Sequence, residues 1–167
     1  MPDTSPHQAG RDDSGGDPAC WANLDERPLH LDDPTLAQLL RALADAVVVA
    51  DRSGTITFWN ASAGRLFGWT SSEALGQPLT MIIPERLRTR HTTGYERVMD
   101  TGATLYGDRL LRVPARRRDG RPLSIAFTVT LLHDQMRNPA GVAAVIRDDT
   151  EAWQQRQAAR TTTVHPS

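Results

Sequence analysis

Apolar residues recur along this chain at two different periods, and the changes between them mark the elements. After Asp33-Pro34, the residues Leu36, Leu39, Leu40 and Leu43 fall on one stripe at helical spacing, which predicts a short amphipathic helix. Residues 46–50 form an unbroken apolar run ending in the turn Asp51-Arg52-Ser53-Gly54, and residues 55–59 follow as the second strand of a hairpin. Asn60 is placed to cap a helix over 61–67 that Gly68 closes; Thr70 or Ser71 is placed to cap a single turn through Leu75, closed by Gly76.

Residues 84–102, PERLRTRHTTGYERVMDTG, predict the longest helix. Leu87, His91, Gly94, Tyr95 and Val98 share one helical face, while Arg86, Arg90, Thr93, Arg97 and Asp100 fall on the other. Pro84 suits its first turn and Gly102 the position past its end. Residues 110–117 then read as a strand and Arg118-Asp119-Gly120-Arg121 as a hairpin turn. Residues 123–132 alternate, with Leu123, Ile125, Phe127, Val129 and Leu131 on one face and Ser124, Ala126, Thr128 and Thr130 on the other. A loop through Asn138-Pro139-Ala140-Gly141 leads to a strand over 142–147, and Thr150 is placed to cap a last helix over residues 151–159. Two strands before the helices and three after them predict an α+β fold, a five-stranded antiparallel sheet with short helices and one long helix over one face.

Composition narrows the classes. The chain has 167 residues, which favours one domain with tails. Residues 1–33 are rich in Asp, Gly, Pro and Ser and poor in aliphatics, so they predict a disordered tail in which Trp21 and Leu24 are the candidates for local docking. The expected divisions are this tail, a cap helix over 34–43, the domain over 44–150, and a short output-type helix with a frayed end from Thr161 over 151–167. A formal net charge of −1 gives no electrostatic footprint for nucleic acid or membrane. No apolar run approaches the roughly 18 residues that span a bilayer, and no secretory start is visible, so the expected place is cytoplasmic. Cys20 is the only cysteine, which excludes a disulfide framework within the chain. His7, His30, His133 and His165 are scattered, with no metal-binding spacing. No nucleophile elbow, phosphate loop or kinase signature occurs, so an enzyme is not expected.

Several of these pieces together resemble a PAS domain of the S-box kind. They are residues 46–51 with Gly54, "ITFWN" ending at Asn60, "A..LFGW" from Ala63 to Trp69, "EALGQPL" from Glu73, "IIPE" from Ile82, "RRDG" ending at Gly120, and "DDT" at Asp148, Asp149 and Thr150. They cover residues 36–155 in the family's order. The resemblance implies a sheet cupping a pocket against the helices and a sensory or interaction role. It also implies that Asp148 and Thr150 fix the exit of an output helix. Partners would be a second copy in a homodimer and a signalling protein such as a histidine kinase or transcription regulator.

The long helix is similar, more narrowly, to the haem-binding helix of FixL-type oxygen sensors, through His91, Gly94-Tyr95, Arg97, Met99 and Thr101-Gly102. That resemblance implies haem b held by His91, lined by Leu87, Gly94 and Tyr95, with Ile125, Phe127 and Val129 as the apolar wall opposite. The family's ligand-side arginine falls at Leu111, with Arg109 and Arg112 nearby, so oxygen stabilisation by arginine is not implied. Met99 is a candidate second axial ligand or packing at the helix end; Tyr95 and Trp59 are candidate contacts or core fill. A flavin is not expected, because Cys20 lies in the tail rather than on the long helix. The bland reading of His91 is a core histidine bonded to a backbone carbonyl, in a cofactor-free PAS dimerisation or adaptor module. Arg116, Arg117 and Arg118 read as a solvated strand edge.

Overall fold

Short polar side chains start the first three helices in the computed structural model, which describes residues 32–103 and 109–162. Asp32 accepts from Thr35 N–H ahead of α1 (Asp33–Ala42), and Asn60 accepts from Ala63 N–H ahead of α2 (Ala61–Phe67). Thr70 and Glu73 form a reciprocal capping box at α3 (Ser71–Ala74). The long helix α4 (Arg88–Thr101) ends on Gly102, whose φ of 66° only glycine adopts freely. The last helix is α5 (Thr150–Thr162). Expectations for the tail before Asp32, including Cys20, Trp21 and Leu24, and for the end beyond Thr162 lie outside the described residues. The elements treated below belong to the unit that begins at Asp32.

Five strands, β1 (Ala46–Asp51), β2 (Ile56–Trp59), β3 (Leu111–Arg116), β4 (Pro122–His133) and β5 (Pro139–Asp148), form one sheet in the order β2-β1-β5-β4-β3. Every pairing is antiparallel. The α+β architecture expected from the element order is the one observed. Among the described residues no helix is long and apolar enough to cross a membrane.

A bulge decides which residues of the short β2 face inward. Val48 pairs with Trp59 and Ala50 with Ile56, with a register shift between Val49 and Ala50. Strict alternation would turn either Ile56 or Trp59 outward; the extra residue lets both enter the core. There they meet Val48, Ala63, Phe67, Leu123, Ile125 and Ile146. Trp59 and Phe67 lie with ring centroids 5.4 Å apart, and the indole N–H of Trp59 reaches the Trp69 carbonyl at 3.2 Å. A second cluster joins Met99, Tyr95 and Val98 of α4 to Ala50, Val129, Leu131 and Val142 of the sheet.

The structure corrects the expected elements in four places. The long helix begins at Arg88 rather than Pro84; Glu85–Leu87 forms a separate 3₁₀ turn, as does Leu79–Ile82. The hairpin turn before β5 lies at Asp134–Arg137, where the Asp134 carboxylate accepts from Met136 and Asn138 N–H. Pro139 to Gly141 are therefore strand, not loop. Thr150 does not cap α5. Its hydroxyl instead accepts from Ser124 N–H of β4 at 3.1 Å, and Asp148 takes the Thr150 N–H at 2.8 Å. Helix α5 then runs to Thr162, past the expected end.

Gly141 sits in β5 opposite Asp51, and a Cβ placed on it would lie 2.2 Å from the Ala50 carbonyl oxygen. Backbone cannot yield as a flexible side chain does, so the close β1–β5 approach requires glycine here. Gly141→Ala is expected to lower stability by about 2 kcal/mol or more, read as a lower urea midpoint at unchanged slope.

Candidate functional site

Helix α4 buries one stripe. Met99 is 2% exposed, while Tyr95, Val98 and His91 are half-buried. Met99 is packed in the cluster with Ala50 and Val142, the packing role of its two expected ones. The Tyr95 hydroxyl donates to the Asp51 carbonyl and lies 3.3 Å from that of Ala50. Burial, then the Asp51 carboxylate, push the Tyr95 phenol up to about 12, so it stays a donor at neutral pH.

His91 lies one turn before Tyr95, with ring centroids 6.1 Å apart. Its Nδ1 is buried and has no hydrogen-bond partner. That departs from the bland expectation of a core histidine bonded through Nδ1 to a backbone carbonyl. An unpaired buried nitrogen of this kind costs about 1–3 kcal/mol. Burial holds the imidazole below its ordinary value of 6.5, so the ring is neutral at pH 7. A neutral imidazole with an open nitrogen is the ligating form. Among the described residues no group of three or more His, Cys, Asp or Glu could hold a bare metal ion.

The remaining expected site residues divide. Leu87 is half-buried on the 3₁₀ turn ahead of α4. Gly94 is exposed, and a Cβ on it would meet nothing within 4 Å. It lies at the margin of the buried face rather than its centre, because the packed stripe runs through Tyr95 and Met99. Leu111 pairs with Phe127 across β3 and β4. Ile125 and Phe127 pack with Trp59 and Phe67, whereas Val129 joins the cluster under Tyr95. The expected apolar wall is thus continuous along β4 but is shared between two cores. Two cavities, of about 270 Å³ and 300 Å³, are lined by other residues than His91. Trp59 is core, 4% exposed.

Arg112 turns to the outer face and reaches the nearly buried Asp149 at 3.8 Å, away from His91. Arg109 is exposed. Neither takes the position of a ligand-side arginine. Of the arginine run, Arg117 pairs with Asp119 at 3.5 Å and Arg118 with Glu73 at 2.7 Å, which neutralises two of its three charges.

One functional residue escaped the sequence reading. Arg52, in the β1–β2 turn, donates to the carbonyls of Met99 (2.8 Å) and Pro139 (3.0 Å) and lies 3.2 Å from the Asp100 carboxylate. A cation at a helix C-terminus satisfies its last carbonyls and suits its dipole. The end of α4 is therefore latched to the sheet by Arg52 and Tyr95. The turn motif was legible, but its reach of 47 residues to Met99 has no local signal.

Two outcomes follow for the isolated domain. Gly94→Ala places a methyl in open space on a helix and is expected to raise stability by about 0.5–1 kcal/mol, seen as a higher thermal midpoint. His91 also makes stability pH-dependent: the unfolded chain takes its proton at about 6.5, the folded chain only at lower pH. The unfolded state binds more protons between those values, so this contribution is complete above about 6.5 and is lost as pH falls through that value. His91→Leu is expected to abolish that part of the acid loss in urea titrations run from about pH 7.5 to about pH 5.5.

Comparison with known proteins agrees with this architecture. The family model described as "PAS fold" matches residues 35–148. The Sensor protein FixL of Bradyrhizobium diazoefficiens is 31% identical over 133 residues, covering 80% of this chain and 26% of that protein. An uncharacterized protein of Azorhizobium caulinodans is 38% identical over 92 residues, 54% of this chain and 12% of that one. The chain thus spans about a quarter or less of the length of these relatives. The PAS domain of a Colwellia psychrerythraea protein superposes with a TM-score of 0.62 at 22% identity, covering 71% of this chain and 97% of that one. An RNA-binding light-oxygen-voltage receptor superposes with a TM-score of 0.66 at 16% identity, covering 99% of this chain and 42% of that one. The match over residues 35–148 and the five-stranded sheet agree: the chain belongs to the PAS family, as a sensory-type module related in sequence to FixL.

Proposed function

We propose that this PAS module senses a small ligand held on α4 by His91, that the ligand is haem, and that the resulting change leaves by protein contact. The observation that carries the reading is the buried, unpartnered Nδ1 of a neutral imidazole. On this reading Leu87, Gly94 and Tyr95 flank the group and Leu111, Ile125, Phe127 and Val129 form the opposite wall. Bound haem would supply an iron centre responsive to diatomic gases or to redox poise. The chain's own part is to present one nitrogen, keep it unprotonated and exclude water behind it.

PAS domains commonly dimerise and couple to kinases or regulators, and this chain has a surface suited to that. On α1, Leu36 is 42% and Leu39 47% exposed, and Trp153 of α5 is 45% exposed. We assign α1 and α5 to contacts with a second copy and with a signalling protein such as a histidine kinase or transcription regulator, in the cytoplasm. The domain proper is taken as residues 44–150, flanked by these two helices. No catalytic residue is assigned.

A cofactor-free dimerisation or adaptor module is the second reading. It is favoured by the packing of Ile125 and Phe127 into the core with Trp59 and by cavities that His91 does not line. The absorption spectrum after mixing with haem separates the two. A Soret band is expected for the parent and its loss for His91→Ala. A folded parent without the band, or a band unchanged in His91→Ala, overturns the haem reading.

A further inference from the structure

We propose that the cleft between the edge strand β3 and the start of α4 binds a single-ring aromatic carboxylate. The cleft has a volume of about 270 Å³ and is lined by Trp69, Pro78, Thr80, Met81, Arg88 and Arg116. His91 is not among them, so this site stands or falls apart from the haem reading.

Charge is the first argument. Two guanidinium groups line one small cleft, and no carboxylate lines it. Among the described residues neither Arg88 nor Arg116 forms an ion pair. The contrast within the arginine run is direct: Arg117 and Arg118, which do not line this cleft, are matched by Asp119 and Glu73. Arg116, which does line it, is paired with no acid among the described residues. Arg88 is also held in place, because its Nε–H donates to the Ile83 carbonyl at 3.3 Å, while its terminal nitrogens have no partner among the described residues. An anchored guanidinium loses less freedom when it takes a carboxylate, and its planar fork matches the two oxygens.

The apolar wall specifies the rest of the ligand. Trp69 packs against the core, and its carbonyl accepts the Trp59 indole N–H, so its backbone is fixed. With Pro78 and the Met81 thioether it offers a flat, polarisable surface suited to an aromatic ring. Thr80 adds a hydroxyl. The volume of about 270 Å³, just under the range of about 300–1,000 Å³ usual for drug-sized ligands, matches a small single-ring acid.

The test is an amide and indole NMR titration with sodium benzoate, on protein without added haem. Saturable shifts are expected at the Trp69 indole N–H and at the amides of Thr80, Met81 and Arg116. Arg116→Gln, at an exposed position with no side-chain partner among the described residues, is expected to weaken binding about tenfold or more. Benzamide, with the ring but no charge, and inorganic phosphate, with charge but no ring, are each expected to bind more weakly than benzoate. Unsaturable or absent shifts with benzoate overturn the proposal. So does equal affinity of the parent and Arg116→Gln, or phosphate binding as tightly as benzoate, which would reduce the cleft to a bare anion patch.

Discussion

One buried carboxamide holds the beginning of this fold together. Asn60 is 2% exposed and uses all of its side chain. Its oxygen accepts from Val47 N–H at 3.0 Å and Ala63 N–H at 2.9 Å; its nitrogen donates to the carbonyls of Leu40 at 3.2 Å and Asp45 at 3.0 Å. In one residue the end of α1, the start of β1 and the start of α2 are tied together. Buried polar groups are tolerated only when satisfied, and once satisfied they admit few other arrangements. Ser62 adds a second tie, donating to the Leu43 carbonyl at 2.6 Å. These bonds hold α1 by its last turn while leaving Leu36 and Leu39 of its leucine stripe exposed. The helix is thus fixed in place but not used up in packing, which is the condition for an interaction surface.

The long helix is held unequally along its length. Its C-terminal half carries the buried Met99, the Tyr95 hydroxyl bond and the three contacts of Arg52. Its N-terminal half begins without a side-chain cap, after a 3₁₀ turn, and carries the half-buried His91 with its unpaired nitrogen. Packing density resists deformation where contacts are many and yields where they are few. The helix is therefore pinned to the sheet at its C-terminal end and held by fewer contacts at the His91 end. The same asymmetry accounts for the closed core: the fixed end fills its share of the interior with Met99 and Val98, and the free end fills less.

What was legible in the sequence was local. The caps at Asn60 and Thr70, the stop at Gly102, the Arg118–Arg121 turn and the alternation along β4 are set by neighbours within a few residues, and all four appear. The errors share a different cause. Gly141 was read as part of a loop, because a close approach to the Ala50 carbonyl is invisible without knowing that β1 and β5 pair. Thr150 was read as a cap, although its hydroxyl is engaged by Ser124, 26 residues earlier. Ideal helical geometry puts Gly94 on one face with His91 and Tyr95, while the packed stripe runs through Tyr95 and Met99 and leaves Gly94 exposed. At the site, the identity of the imidazole was legible and its want of a partner was not. A missing bond is a property of the whole fold.

The outer face of the sheet holds the start of α5 against two strands. Ser124 and Ala126 of β4, small and outward by alternation, are nevertheless 8% and 7% exposed, and the start of α5 is bonded to Ser124. Beside them Asp149, 9% exposed, takes Arg156 of α5 on one side and Arg112 of β3 on the other. A carboxylate this deep has a high desolvation cost, so its two cations are not interchangeable with water. Arg112 stands next to Leu111, whose strand partner is Phe127, and β3 ends at Arg116, which lines the cleft with Trp69 and Arg88. As an edge strand β3 has only β4 for a sheet partner and moves at less cost than a central strand. Arg112 and Arg156 thereby tie the edge strand and the first turns of α5 to one nearly buried carboxylate, Asp149.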